Sequence, residues 1–383
     1  MECKRCGNTD ENYFYKGHKG IYCRKCVSFK RILLEEEQTP LDYEVSREVS
    51  DYYFDFPLTV FQEDIALKCL RQIKESDVLL HCVCGAGKTE IVVRSIEDYL
   101  KRGLKVCYAI SRREVVKELY IRFQKIFPDA EVVAVYGGHH DRLTGDLIVC
   151  TTHQLFRYYQ TFDLLVLDEV DAFPLSGNKE LMHIALNSAR GNIIFSTATV
   201  NDFLRDVLKE RNYKELKLYI RPSLKPMIVP KVYYGLKPYL GILLFFLLKR
   251  MDKQCIIFVS TRKECRTLYH IYRCFFNCTY VYSDLDKRDE NIMAFKDKKY
   301  QHIFATTVLE RGITIKDVNV IVMNLHKGIF AEENIIQMLG RVGRNYANPN
   351  GEAYILSRYR TKDIRNSVGF IKEANELSEM SLL

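Results

Sequence analysis

Val83-Cys84-Gly85-Ala86-Gly87-Lys88-Thr89-Glu90 joins an apolar stretch to an amphipathic one, which is where a phosphate-binding loop belongs. Residues 77–83 read as a buried strand, and residues 89–100 put Ile91, Val92, Ile96 and Leu100 on one helical face. The backbone N–H groups of Gly85, Ala86 and Gly87 then point at phosphate oxygens, helped by the positive end of the helix that follows. Lys88 is placed to reach the β and γ phosphates and Thr89 to ligate Mg2+. The full eight-residue pattern is not met, since Cys82 stands where it asks for glycine. A Gly-Ala-Gly turn before Lys-Thr also serves as a plain helix cap, so the rest of the chain has to decide.

Leu164-Leu165-Val166-Leu167 is a continuous apolar run suited to a strand buried on both faces, and it ends in Asp168-Glu169-Val170-Asp171. Carboxylates at the carboxyl end of such a strand face the site crevice. Asp168 is expected to hold the magnesium through water, and Glu169 to orient or deprotonate the attacking water. These residues lie about 80 positions after the loop, as a parallel sheet with crossover helices would place them.

Positive charge for the far side of the phosphate is offered by Gln337-Met338-Leu339-Gly340-Arg341-Val342-Gly343-Arg344. If that segment is helical, Arg341 and Arg344 project from one face and both guanidinium groups reach one triphosphate. The alternative is a basic helix end that contacts nucleic-acid phosphates. Their distance in sequence from the loop favours a second domain that closes on ATP and so turns hydrolysis into motion.

At the amino terminus, Cys3-x2-Cys6 and Cys23-x2-Cys26 are separated by 16 residues, the spacing of two knuckles that close one tetrahedral Zn2+ site. Gly7 suits a tight turn that aims N–H groups at sulfur. Eight cations oppose three carboxylates in the first 31 residues, and Tyr13, Phe14, Tyr15 and Tyr22 lie among them. Two readings stay open: a module that touches DNA, or a purely structural ribbon whose aromatics form its small core.

Together these strings resemble superfamily 2 nucleic-acid motors from residue 58 onward. Leu58-Thr59-Val60-Phe61-Gln62 is similar to the segment whose glutamine senses adenine, and Ser196-Thr197-Ala198-Thr199 to the segment coupling hydrolysis to movement, with Thr197 inserted into the usual Ser-Ala-Thr. Thr306-Thr307-Val308-Leu309-Glu310-Arg311-Gly312 and the 337–344 string resemble the last two motifs, carried by a second RecA-like domain. More narrowly, the 83–90 loop, Thr151-Thr152-His153-Gln154-Leu155 and Asp168-Glu169-Val170-Asp171-Ala172-Phe173-Pro174, behind a four-cysteine module, resemble the ComFA family. That resemblance implies an ATP-driven motor for uptake of single-stranded DNA in naturally transformable bacteria. It also implies two partners: a competence DNA-uptake channel at the membrane, and a phosphoribosyltransferase-like protein of the same competence operon. A homo-oligomer is a further expectation.

The expected fold class is α/β, with two tandem RecA-like parallel-sheet domains preceded by a small zinc-ribbon-like module. The boundaries read as 1–32 for the module, 33–55 for a charged, aromatic linker that docks on the motor, 56–221 for the first RecA-like domain and 222–383 for the second. Strands are expected at 78–83, 105–110, 147–150, 164–167 and 193–195, then near 255–259, 279–282, 302–305 and 318–323. Pro222, Pro226 and Pro230 mark the change between domains.

With 383 residues and a net charge of +8, the chain suits a motor with a polyanionic partner. The longest apolar run, 240–248, is too short to span a bilayer and reads as a core helix. No signal-peptide pattern precedes Cys3, so the expected location is cytoplasmic, peripheral at the inner face of the membrane through a partner. Nine further cysteines read as small buried hydrophobes. Cys84 is open between that reading and a reactive thiol beside the phosphate loop.

Arg112, Thr152, His153 and Thr307 each follow an expected strand and are candidates to grip a DNA backbone, although Thr152 is also an ordinary helix cap. The reading is an ATP-dependent DNA translocase using ATP, Mg2+ and Zn2+. Its rivals are a replication-restart or repair helicase and a zinc-dependent DNA-binding adaptor.

Overall fold

The computed structural model describes residues 1–46, 49–310, 315, 317–344 and 349–382. The chain divides into two compact units, Met1–Cys82 with Gly87–Leu218, and Val83–Ala86 with Tyr219–Leu383.

The first unit opens with a hairpin of β1 (Phe14–Gly17) and β2 (Gly20–Cys23). Helix α1 (Val60–Gln72) starts at a capping box, in which the Gln62 amide N–H bonds to the Thr59 hydroxyl and the Gln62 side chain accepts from the Thr59 N–H. There follow β3 (Asp77–Cys82), α2 (Lys88–Lys101), β4 (Val106–Ile110), α3 (Arg113–Ile126), β5 (Val132–Val135), β6 (Leu147–Thr151), β7 (Phe162–Asp168), α4 (Lys179–Ser188), β8 (Ala189–Thr197), α5 (Asp202–Lys209) and β9 (Tyr213–Leu218). The strands form one parallel seven-stranded sheet in the order β5-β6-β4-β7-β8-β3-β9. Central strands such as β4 are buried at every residue, because helices cover both faces of a parallel sheet. The four apolar residues expected on one face of α2 are all buried.

The second unit contains β10 (Lys231–Tyr234), α6 (Lys237–Arg250), β11 (Cys255–Val259), α7 (Arg262–Tyr272), β12 (Cys278–Val281), α8 (Arg288–Lys296), β13 (His302–Ala305), β14 (Asn319–Asn324), α9 (Glu332–Leu339), β15 (Ala353–Ser357) and α10 (Lys362–Leu382). Its six strands are again parallel, in the order β10-β15-β14-β11-β13-β12. Both units are therefore RecA-like α/β sheets.

Several elements differ from the sequence reading. Strands β5, β9, β10 and β15 join the sheets beyond those expected. Helix α6 buries Leu240, Leu244, Leu247 and Leu248 but leaves Tyr239, Ile242 and Phe246 exposed, so only one face of it is core. Residues 33–46 and 49–55 dock on the first unit. The Leu41 N–H donates to the Thr161 hydroxyl at 3.1 Å, and the Tyr53 N–H donates to the Ile126 carbonyl at 2.9 Å. Of the nine further cysteines, Cys274 is exposed and the rest, Cys84 included, are buried.

His302 lies fully buried at the start of β13, and neither ring nitrogen has a hydrogen-bond partner among the described residues. Burial pulls its pKa down to about 4. In the unfolded chain a histidine titrates near 6.5, so neutral His302 favours the fold above that pH. Its contribution falls as pH drops from about 6.5 toward about 4, by up to about 3 kcal/mol. Urea unfolding of the full chain across this range should show that loss, and His302→Leu should flatten it; an equal pH slope in the variant would contradict the assignment.

Candidate ATP and metal sites

Because all seven strands of the first sheet run parallel, the carboxyl ends of β3, β4, β7 and β8 lie along one edge, where such sheets bind ligands. The chain leaves β3 through a turn in which Gly85 and Gly87 have φ of +82° and +85°, values L-residues avoid. A Cβ on Gly87 would stand 2.2 Å from the Gln62 side-chain nitrogen. Glycine here thus lets the capping-box glutamine press against the loop. Lys88 and Thr89 open α2 and are half-buried.

At the end of β7, Asp168 is buried and held from three directions. The Tyr108 hydroxyl donates to Oδ2 at 2.7 Å, the Ser196 hydroxyl donates to Oδ1 at 2.7 Å, and the Glu169 N–H donates to Oδ1 at 2.9 Å. Tyr108 in turn lies 3.5 Å from the Thr89 hydroxyl. A chain of polar contacts therefore runs from the first residues of α2, through β4, to the carboxylate and on to β8. Burial first, then the Asp168 charge, pushes the Tyr108 phenol well up, so it stays a proton donor. The next residue, Glu169, has φ of +54°, an uncommon conformation for a residue with a side chain. Asp171 accepts from the Thr199 hydroxyl at 2.8 Å, and the Thr197 hydroxyl bonds the Thr199 carbonyl at 2.6 Å. The 196–199 segment thus grips the acidic segment at two carboxylates.

In the second unit, α9 ends at Leu339 and the chain continues in turns, with Gly343 at φ +71°. The condition for Arg341 and Arg344 to share one helical face is not met. Arg341 is buried and its Nε donates to the Glu310 carbonyl at 3.1 Å, whereas Arg344 is exposed and donates to the Gly340 carbonyl at 2.8 Å. Arg221, read as the last residue of the first domain, is buried and clamps the same turn, donating to the Val342 and Gly340 carbonyls at 2.9 and 3.1 Å. Burial, with the Arg344 charge beside it, pulls the Arg221 pKa down to about 10, which leaves it charged at neutral pH. Arg311 and Gly312 lie outside the described residues.

The four amino-terminal cysteines are all buried, and their sulfurs lie within 4.8 Å of one another. The Cys3–Cys26 and Cys6–Cys23 sulfur pairs are 3.7 and 3.8 Å apart. Zn–S bonds of about 2.3 Å in a tetrahedron require edges of about 3.8 Å. The donor set therefore fits Zn2+. Arg5, also buried, donates to the Cys26 carbonyl at 2.9 Å and approaches its sulfur at 3.3 Å, placing positive charge beside the thiolate cluster.

Of the candidate DNA contacts, Thr152 is fully buried, which leaves its hydroxyl inside the unit. His153 and Thr307 are exposed and Arg112 is half-buried. The His153 ring lies 5.9 Å from Phe29, and partial desolvation of the ring lowers its pKa.

Tyr108→Phe keeps the ring and removes the donor, and a hydrogen bond to a carboxylate contributes about 1.5–3 kcal/mol. The expected result is a lower unfolding midpoint and a raised KM for MgATP, measured together by thermal unfolding and ATPase titration. Unchanged values for both would remove Tyr108 from the site.

Residues 60–207 match the DEAD/DEAH box helicase family, and residues 239–346 match the helicase conserved C-terminal domain. The chain is 32% identical to competence protein ComFA of Streptococcus pneumoniae, covering 98% of this chain and 90% of that protein. It is 30% identical to competence protein ComFA of Bacillus subtilis, over 98% of this chain and 86% of that protein. Among solved structures, S. cerevisiae Dbp5 bound to RNA and ADP BeF3 superposes with a TM-score of 0.63 at 20% identity, covering 82% of this chain and 87% of that one, a likeness of fold. With two helicase-type ATPase domains behind a four-cysteine cluster, and with this identity along nearly its whole length, the chain belongs to the ComFA family.

Proposed function

We propose that this protein is an ATP-driven motor that moves on single-stranded DNA and draws it into the cytoplasm during natural transformation. The observation that carries the reading is the buried Asp168 carboxylate, tied through Tyr108 to Thr89 at the start of the phosphate loop's helix. Lys88 neutralises the β and γ phosphates, the N–H groups of Gly85 and Gly87 cradle them, while that of Ala86, expected to do the same, is bonded to the Val83 carbonyl at 3.1 Å, and Gln62 reads the adenine side. Thr89 and Asp168 hold Mg2+, which supplies charge neutralisation of the phosphates when bound. Glu169 orients the attacking water. Arg344 supplies positive charge for the transition state, and Arg341 holds the turn that carries it.

Family membership supports the DNA-uptake assignment, because both curated relatives are named competence proteins. Arg112, His153 and Thr307 belong to the proposed DNA path, gripping phosphates without reading bases. Cys3, Cys6, Cys23 and Cys26 hold one Zn2+. The proposed partners are the competence channel at the membrane and the phosphoribosyltransferase-like protein of the same operon, with further copies of this chain. Among the described residues, no helix is long and apolar enough to cross a membrane, so contact with the channel is peripheral in this reading.

ATPase measurements with single-stranded DNA, duplex DNA and RNA test the reading. Stimulation is expected to be strongest with single strands. Lys88→Ala should weaken nucleotide binding, whereas Glu169→Gln should keep ATP bound and stop turnover. Arg344→Ala should resemble the latter, since an arginine completing the transition state is worth about 10³ to 10⁵ in rate. Equal stimulated turnover in wild type and Arg344→Ala would contradict the role given to Arg344. Stimulation by duplex or RNA alone would contradict the substrate.

Purified protein should contain one Zn2+ per chain, and Cys3→Ala or Cys23→Ala should lose it. Because the four cysteines pack into the core of the first unit, that loss should also lower the unfolding midpoint. Metal analysis giving no zinc in protein prepared without chelators would overturn the metal assignment.

A further inference from the structure

The aromatic residues of the amino-terminal module fall into two sets. Strand pairing sets Phe14 opposite Cys23 and Tyr15 opposite Tyr22, so these pairs project from opposite faces of the hairpin. Phe14, together with Phe29, Ile32 and Leu34, packs against the buried core that includes the four cysteines. The inward face thus builds the small core. Tyr15 and Tyr22 form the outward face, their rings 5.6 Å apart in an edge-to-face pair, with Tyr15 53% exposed.

Cations border those rings. The Arg31 guanidinium lies 4.4 Å from the Tyr22 ring centre and that of Arg24 lies 6.0 Å from Tyr15. Lys16, Lys19, Arg24 and Arg31 have no carboxylate partner among the described residues, whereas Lys25 is paired with Glu180 at 2.8 Å. Asp10 is occupied in capping the turn at Glu11–Tyr13. The outward face therefore combines the exposed ring of Tyr15 and the half-buried ring of Tyr22 with unneutralised guanidinium and ammonium groups. An interior role does not account for it, because the interior is already filled by the other face.

We propose that this outward face of the hairpin, centred on Tyr15 and Tyr22 with Arg24 and Arg31, is a stacking platform for single-stranded nucleic acid, separate from the contacts made by the RecA-like units. The rings stack bases and the cations take the intervening phosphates, the combination by which proteins hold single strands without sequence preference. The platform rests on the reading that the chain acts on single-stranded DNA, and it gives the module a grip of its own on that strand.

The test uses the full-length chain and a fluorescein-labelled oligodeoxythymidine, with binding followed by anisotropy and zinc content measured for each variant. Tyr15→Ala should weaken binding at least about fivefold, since loss of one base-aromatic stack costs at least about 1 kcal/mol. Tyr15→Phe, which keeps the π surface, should bind within about twofold of wild type, because stacking does not need the hydroxyl. Arg24→Ala and Arg31→Ala should weaken binding and reduce its salt dependence. Binding of heparin, a polyanion without bases, should be unchanged by Tyr15→Ala. Stimulated ATPase at saturating DNA should persist in Tyr15→Ala, which separates the platform from the motor. If Tyr15→Ala and Tyr22→Ala bind the oligonucleotide as wild type does, with zinc retained, the platform is refuted while the motor reading stands; the face then serves a protein partner. Equal loss of DNA and heparin binding in Tyr15→Ala would also refute stacking. A wild-type protein that neither binds nor responds to single-stranded DNA would overturn the motor reading itself, and the platform with it.

Discussion

The first unit is organised around one buried carboxylate. Asp168 ends a central strand whose other residues are almost all apolar, and leaving a buried carboxylate there unpaired would be costly. Three donors from two neighbouring strands and the next residue meet that demand. The same bonds fix where β4, β7 and β8 end relative to one another. Thr89 reaches the network through Tyr108, so the start of α2 and the acidic segment share one polar chain. Ser196 bonds Asp168 and Thr199 bonds Asp171, so the 196–199 segment is tied to both carboxylates.

The amino-terminal module is part of the same body rather than an appendage. Its four cysteines belong to the core that contains Leu165, Leu181 and Phe195. Lys25 pairs with Glu180 on α4, Asn187 donates to the Lys4 carbonyl at 3.3 Å, and the Phe29 ring lies 5.9 Å from His153 and 5.8 Å from Phe156 in tilted contacts. Gly7, at φ +69°, lies where a Cβ would meet the His183 ring at 2.7 Å, so its glycine serves both the knuckle turn and the contact with α4. A module of this size has little interior of its own. Sharing the core of the first unit is how it becomes ordered.

Much of the site was legible because its chemistry is local in sequence. The loop at 83–90, the acidic segment at 168–171 and the paired cysteines each combine residue types at fixed spacing, and the parallel sheets follow from apolar runs alternating with amphipathic ones. Tyr108 was not legible. It is one aromatic residue in the apolar strand Val106–Ile110, and only the strand order β6-β4-β7 sets it beside Asp168. Arg221 looked like part of a proline-rich connection because its three prolines lie after it, while its partners are carbonyls more than a hundred residues away. Arg341 and Arg344 have helical spacing, yet Gly340 and Gly343 bracket a turn that buries one and exposes the other. The missed strands are of two kinds. β9 and β10 are edge strands with mixed, mostly half-buried or exposed residues, so neither shows the apolar run of a central strand. β5 and β15 are fully buried but only four and five residues long, too short for periodicity to identify by itself.

The account's central claim is that ATP turnover at the Asp168 site drives movement along a single strand. Displacement of streptavidin from the end of a biotinylated single-stranded oligonucleotide measures that movement directly. The account predicts displacement that requires ATP and magnesium, is lost in Glu169→Gln, and shows a preference for one labelled end. Vigorous DNA-stimulated hydrolysis with no displacement from either end would contradict it.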